Sequence, residues 1–275
     1  MIDMSVKWPD GARVAVALTF DFDAETLWLS RDPSNARRPG TLSQGTYGAK
    51  VGVPMILQTL KEAGVKATFF IPGWTVENHA DRAGMILREG HEIGHHSYSH
   101  AWPDPDRPDK DVEEMERGLE ALKRVLGVVP KGYRSPAGET TDELVRLLDR
   151  HGFEYDSSMM GDVNPYRLPH PDGGRQLVEL PYHWSLDDAP FTLFSVKTPR
   201  PIMTNGHIRE IWQDEFSEIH RWGAFYHLVM HPQLSGRPSR IALLRGMIDF
   251  IRGFDGVWFA TCAEVAAAWV AQEKA

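Results

Sequence analysis

Apolar residues fall along the chain in two patterns: short runs rich in β-branched and aromatic residues, and longer stretches repeating every ~3.6 residues. The short runs predict strands at 13–21, 66–71, 91–96, 132–135, 153–157, 177–180, 224–230 and 257–261. The periodic stretches predict helices near 52–63, 79–89, 110–126, 140–151, 207–221, 238–252 and 262–273. Thr140-x-x-Glu143 and Thr261-x-x-Glu264 read as capping boxes, and Gly64, Gly90, Gly127 and Gly152 stand where helices should stop. The first run, Val14-Ala-Val-Ala-Leu-Thr-Phe20, is apolar on both faces and suits a strand covered on both sides. Strand–helix alternation predicts an α/β fold, and seven or eight units favour a distorted (β/α)7-8 barrel, with residues 1–275 as one domain. Residues 26–50 are long for a connecting loop and read as a lid or an oligomer contact. The proline-rich piece Trp102–Pro108 reads as a rim loop.

Composition narrows the classes of function. The chain is 42% hydrophobic and 25% charged, enough apolar matter for a large core. A net charge of −8 leaves no electrostatic footprint for nucleic acid or an anionic membrane. A lone Cys262 permits no internal disulfide and reads as a buried thiol. Neither a leader-like run at the amino terminus nor a spanning segment is evident, so a cytoplasmic location is expected.

Catalytic groups of such a barrel gather at the carboxyl ends of its strands, so polar residues there carry weight. Thr19-Phe-Asp21-Phe-Asp23-Ala-Glu25 follows the first strand, and residues 21 and 23 of an extended chain share a side. Two converging carboxylates repel unless a cation lies between them, although an acid pair capping a turn would look the same. After the third strand, Gly90-His-Glu-Ile-Gly-His95-His96-Ser-Tyr-Ser-His100 places His96 and His100 at a four-residue ligand spacing. With 12 histidines, chance alone supplies about half a pair at that spacing, and the chain holds three: 91/95, 96/100 and 227/231. An aspartate with two histidines leaves an open position for water, which is a catalytic pattern. The mixed donors suit one divalent metal, Zn first, with Co, Ni, Mn or Fe admissible. Three further blocks at strand ends are Gly132-Tyr-Arg134-Ser-Pro-Ala137-Gly138, Glu179 to Asp188 with Trp184, and Phe225-Tyr-His227-Leu-Val-Met-His231. Each alone reads as well as an ion pair, a core aromatic or a strand-terminal histidine.

In this order the five blocks resemble the motifs of the NodB-type polysaccharide deacetylase superfamily (carbohydrate esterase family 4 and relatives), over nearly the whole chain. The resemblance implies Asp23, His96 and His100 as metal ligands, Asp21 as general base, Arg134 as its orienting partner and His231 as general acid. Trp74, Ala137 and Trp184 become the substrate-contact candidates. Asp187 or Asp188 would steady a histidine. The third motif carries Ala137 where an aromatic residue is usual. Leu186-Asp-Asp-Ala-Pro190 and His231-Pro-Gln-Leu-Ser-Gly-Arg-Pro238 look like the branch holding cyclic imide hydrolases, metal-independent allantoinases and peptidoglycan-deacetylase-like proteins. Retention of the ligand set favours a small cyclic imide or amide as substrate. The alternatives are an N-acetylated sugar polymer and, after it, a ureide. The same branch implies a homotetramer.

Overall fold

The computed structural model describes residues 4–197 and 199–273. In chain order the elements are β1 (Val14–Asp21), α1 (Thr26–Leu29), α2 (Pro39–Tyr47), α3 (Val53–Ala63), β2 (Thr68–Ile71), α4 (Gly73–Asn78), α5 (Ala80–Arg88), β3 (Glu92–His95) and α6 (Pro108–Leu126). There follow β4 (Gly132–Tyr133), α7 (Asp142–Arg150), β5 (Tyr155–Asp156), β6 (Tyr166–Arg167), β7 (Val178–Glu179), α8 (Ala189–Thr192) and α9 (Asn205–Trp222). The chain closes with β8 (Phe225–Met230), α10 (Pro232–Ser235), α11 (Pro238–Arg252), β9 (Val257–Phe259) and α12 (Cys262–Glu273).

The strands form one sheet in the order β6-β7-β5-β4-β3-β2-β1-β8, with β9 pairing β1 off this path. All neighbours run parallel except β6 and β7. The sheet curls, and a parallel bridge between Asp187 and Val229 brings the chain beyond β7 back to β8. This is the expected distorted barrel, closed on the site's side by one bridge.

Every residue of β1 is buried, as its unbroken apolar run requires. Val14, Val16, Leu18 and Phe20 pack into the large cluster beneath the helices, whereas Ala15 and Ala17 belong to a separate cluster with Phe70, Tyr155 and Cys262. The period of two therefore carries Thr19 and Asp21 to the inner face. Cys262 is buried there, as expected.

All eight predicted strands are present, each shorter than its predicted range; β6, two residues long, gave no readable run. The capping box at Thr261 forms, with Thr261 N–H donating to Glu264 and Glu264 N–H to Thr261 Oγ1. The other N-cap moves by one residue: Thr141, not Thr140, accepts from Leu144 N–H. The larger correction concerns 26–50, which is mostly helical. A π-helical turn over Gly48–Gly52 joins α2 to α3 in a continuous helix. Its glycines, which read as loop composition, are where it docks: a Cβ on Gly45 would lie 2.5 Å from the Ala24 backbone, and one on Gly52 2.1 Å from the Pro232 carbonyl. No described helix is long and apolar enough to cross a membrane.

Candidate active site

Asp21 ends β1, and Asp23 opens a turn pinned at the Asp23 carbonyl by the hydroxyls of Thr26 (2.6 Å) and Thr75 (2.8 Å). His96 leaves β3. The segment to His100 is a loop, not the helical turn its spacing suggested: Ser97 (φ 60°) and His100 (φ 62°) are left-handed. Glu114 of α6 holds that loop by accepting from Tyr98 N–H (3.0 Å), Ser99 N–H (2.6 Å) and Ser99 Oγ (2.6 Å). Ala24 (φ 52°) and Ala137 (φ 57°) are left-handed as well, so four of the five such non-glycine residues border this centre. Strain of that kind persists only where surrounding contacts impose it.

Asp23 Oδ1 lies 3.4 Å from His96 Nε2 and 3.6 Å from His100 Nε2, and it is a buried oxygen without a hydrogen-bond partner. The far nitrogens are occupied: His96 Nδ1 meets the Arg134 carbonyl (2.6 Å) and His100 Nδ1 the Ser30 hydroxyl (3.3 Å). In neutral rings both Nε2 lone pairs then face the orphaned carboxylate oxygen. This donor set fits a divalent cation, with the outer hydrogen bonds fixing ring orientation. Burial disfavours the Asp23 charge, but His100, His96 and His231 hold the carboxyl well below the usual range. Gln233 Nε2 donates to its other oxygen at 3.2 Å.

Arg134 is buried beside Asp21, with Nη1 2.8 Å from Oδ1. Its other donors meet Thr19 Oγ1 (2.9 Å), the Ser157 carbonyl (3.1 Å), Ser157 Oγ (2.9 Å) and His227 Nε2 (2.8 Å). His227 Nδ1 donates to the Pro181 carbonyl at 3.1 Å, and burial keeps the ring neutral. Asp21 Oδ2 stays free of Arg134 and stands 3.9 Å from His96 Nε2 and 4.0 Å from His231 Nε2. On the opposite wall His231 Nδ1 donates to Asp188 Oδ1 at 2.7 Å. Burial opposes protonation of His231, yet Asp188 outweighs it and raises the imidazole well above its ordinary pKa. Burial drives Asp187 up to about 7, with His231 and Asp188 acting in opposite directions on it.

Asp21, Asp23, His96, His100, Arg134 and His231 thus converge. Ala137 and Trp184 line the same recess, a cavity of about 80 Å³ that also meets Tyr182 and Asp187. Trp74 stands apart, lining a separate cleft of about 600 Å³ with Glu25, Tyr47 and Lys50. Glu25 turns away too, paired with His79 (2.7 Å) and Thr46 (2.6 Å). Of the three histidine pairs only 96/100 serves the recess whole; His91 and His95 accept backbone N–H groups in the core. Asp188 is the partner of His231, and Gln233 gave no signal beyond its place two residues after that histidine.

The sequence profile of the polysaccharide deacetylase family matches residues 10–155. A peptidoglycan deacetylase of Helicobacter pylori is 30% identical, over 92% of this chain and 95% of its own. A Mycobacterium smegmatis structure assigned to the polysaccharide deacetylases is 41% identical, superposes with a TM-score of 0.92, and is matched over 98% of this chain and 94% of its own. An allantoinase structure is 25% identical with a TM-score of 0.82, over 98% and 94%.

Proposed function

We propose a substrate from one premise: this chain belongs to the polysaccharide deacetylase family and is a hydrolase of carbon–nitrogen bonds other than peptide bonds. Its substrate, on this reading, is a small amide or cyclic imide, cleaved with one divalent cation, zinc first, held by Asp23, His96 and His100. The carrying observation is the recess: about 80 Å³, bordered by Asp21, His96, His100 and His231. That space takes an acyl group or a small planar ring and falls well below the ~300 Å³ of an ordinary ligand pocket.

A cation at this donor set would supply Lewis acidity, drawing charge from the carbonyl oxygen and making water easier to deprotonate. Asp21, oriented by the hydrogen bond from Arg134 to its Oδ1, takes a proton from water through its free Oδ2 as the water oxygen adds to the carbonyl carbon. Ala137 lines the recess, and on this reading its backbone N–H meets the oxygen that gains charge. His231, braced through Nδ1 by Asp188, gives a proton to nitrogen as the carbon–nitrogen bond breaks. Residues 1–275 act as one unit in this scheme, since β1 and β8 both supply the centre.

A second reading, removal of N-acetyl groups from a glycan, draws on the Helicobacter pylori relative and on a groove of about 370 Å³ at Ser30, Arg31, Ala101, Trp102 and Lys110. One panel separates the two: succinimide, hydantoin, dihydrouracil and allantoin against N-acetylglucosamine oligomers. Turnover of the imides is expected, abolished by chelation, restored by added zinc, and reduced about 10²–10⁴-fold in Asp21→Asn. Acetate released from the oligomers with no imide opened would replace the first reading by the second, and chelator-resistant turnover would remove the cation.

A further inference from the structure

The mouth of the recess carries positive charge that the reaction does not use. Arg31 lines both the recess and the adjoining groove, and Trp102 is the other residue common to the two. Lys110, near the start of α6, extends the groove, and Arg200 stands near enough to Arg31 to repel it. Among the described residues none of these three cationic side chains is hydrogen-bonded or ion-paired to a carboxylate. Elsewhere most arginines are: Arg117 to Glu113, Arg146 to Asp172, Arg150 to Glu143, Arg175 to Asp149. With 38 acidic residues against 30 basic ones, carboxylates are not scarce. Asp23 attracts Arg31 through space but forms no hydrogen bond or ion pair with it, so the clustered cations at the cavity mouth keep their donors open to an anion from outside.

We propose that the substrate bears a carboxylate beside the scissile amide, and that Arg31 holds it at the mouth, with Lys110 behind and the half-exposed Trp102 indole as an apolar wall. The planar guanidinium offers two parallel N–H donors matched to a carboxylate, a geometry that also fixes which end of the substrate enters first. The neutral amide then points inward to Asp21 and His231 while the anion stays outside. That orientation keeps a negative group away from Asp21, Asp23 and Asp187, which would repel it. The proposal rests on the amide-hydrolase reading for the order of entry alone. It applies equally to an imide with an acidic side chain and to a sugar with an acidic substituent.

Binding tests this without turnover. Succinamate and its neutral counterpart succinamide are titrated calorimetrically into the full chain in the Asp21→Asn background, where the proposed base is absent, metal-loaded and chelator-stripped, with Arg31 kept and as Arg31→Gln. Succinamate is expected to bind about 10-fold or more tightly than succinamide, the scale of a charged hydrogen-bonded contact, with the ratio falling towards one in Arg31→Gln. Equal affinities, no saturable succinamate binding, or a preference kept in Arg31→Gln would overturn it. So would a preference that vanishes on stripping, since the cation and not the arginine would then hold the anion. N-acetylmuramate against N-acetylglucosamine, and hydantoin-5-acetate against its carboxamide, repeat the comparison as turnover. A carboxylate preference in binding with no amide cleaved would remove the reaction and leave the anion site standing.

Discussion

At Arg134 five N–H donors meet five acceptors: Thr19, Asp21, His227, and Ser157 through two oxygens. A buried cation so fully matched sets the position of Asp21, and no other side chain repeats that planar fork. Arg134→Gln removes the charge that Asp21 leans on. Because an uncompensated buried charge is costly, it should lose about 3–5 kcal/mol of stability, read as a lowered urea midpoint, as well as the activity. The polar residues at strand ends were legible in the sequence because the barrel rule says where to look. Asp188 and Gln233 were harder, since their roles depend on a bridge from residue 187 to residue 229 that no local pattern announces. Trp74, a substrate-contact candidate by resemblance, sits on α4 and lines the separate cleft with Glu25, Leu29 and Tyr47.

Helix docking shows where local preference loses to packing. Four glycines and two prolines between residues 39 and 54 argue for a loop by propensity, and the chain is helical there all the same. Gly52 and Gly40 separate the two effects. Alanine gains up to about 1 kcal/mol in a helix, so Gly40→Ala, where nothing lies within 4 Å of the added methyl, should stabilise. Gly52→Ala places that methyl 2.1 Å from the Pro232 carbonyl. Overpacking of ~1–3 kcal/mol outweighs the propensity gain, so the melting temperature should fall, and activity with it through His231 and Gln233. A rise in both melting temperatures would show that the docked backbone yields. Strands β1 and β8 were readable from their length and apolarity, whereas β4 to β7, two residues each, are defined by their neighbours.

Over the whole molecule, histidines kept neutral make stability depend on pH. Burial holds His91 down to about 4 and His95 down to about 3, and His227 also lies well below its ordinary value. The unfolded chain takes up these protons below ~6.5 and the folded chain does not, so their contribution is full above that pH and is lost as pH falls toward 4. His91 Nδ1 accepts from Ala67 N–H at 3.1 Å, a bond that a protonated ring cannot keep. The drop in melting temperature between pH 7 and pH 5 should therefore be smaller in His91→Gln than in the wild type; an equal drop would exonerate His91. The pairing of β1 with β8 bears on when the centre comes into being. It joins residues 15–20 to 225–230, and the helix running to residue 63 rests on the turn at 232–236. Contacts so distant in sequence carry a large loop-closure cost and cannot form before the intervening chain has been made. During synthesis the amino-terminal acids therefore wait for the penultimate strand, and a chain halted before residue 225 holds Asp23, His96 and His100 without the histidine and glutamine that complete the centre.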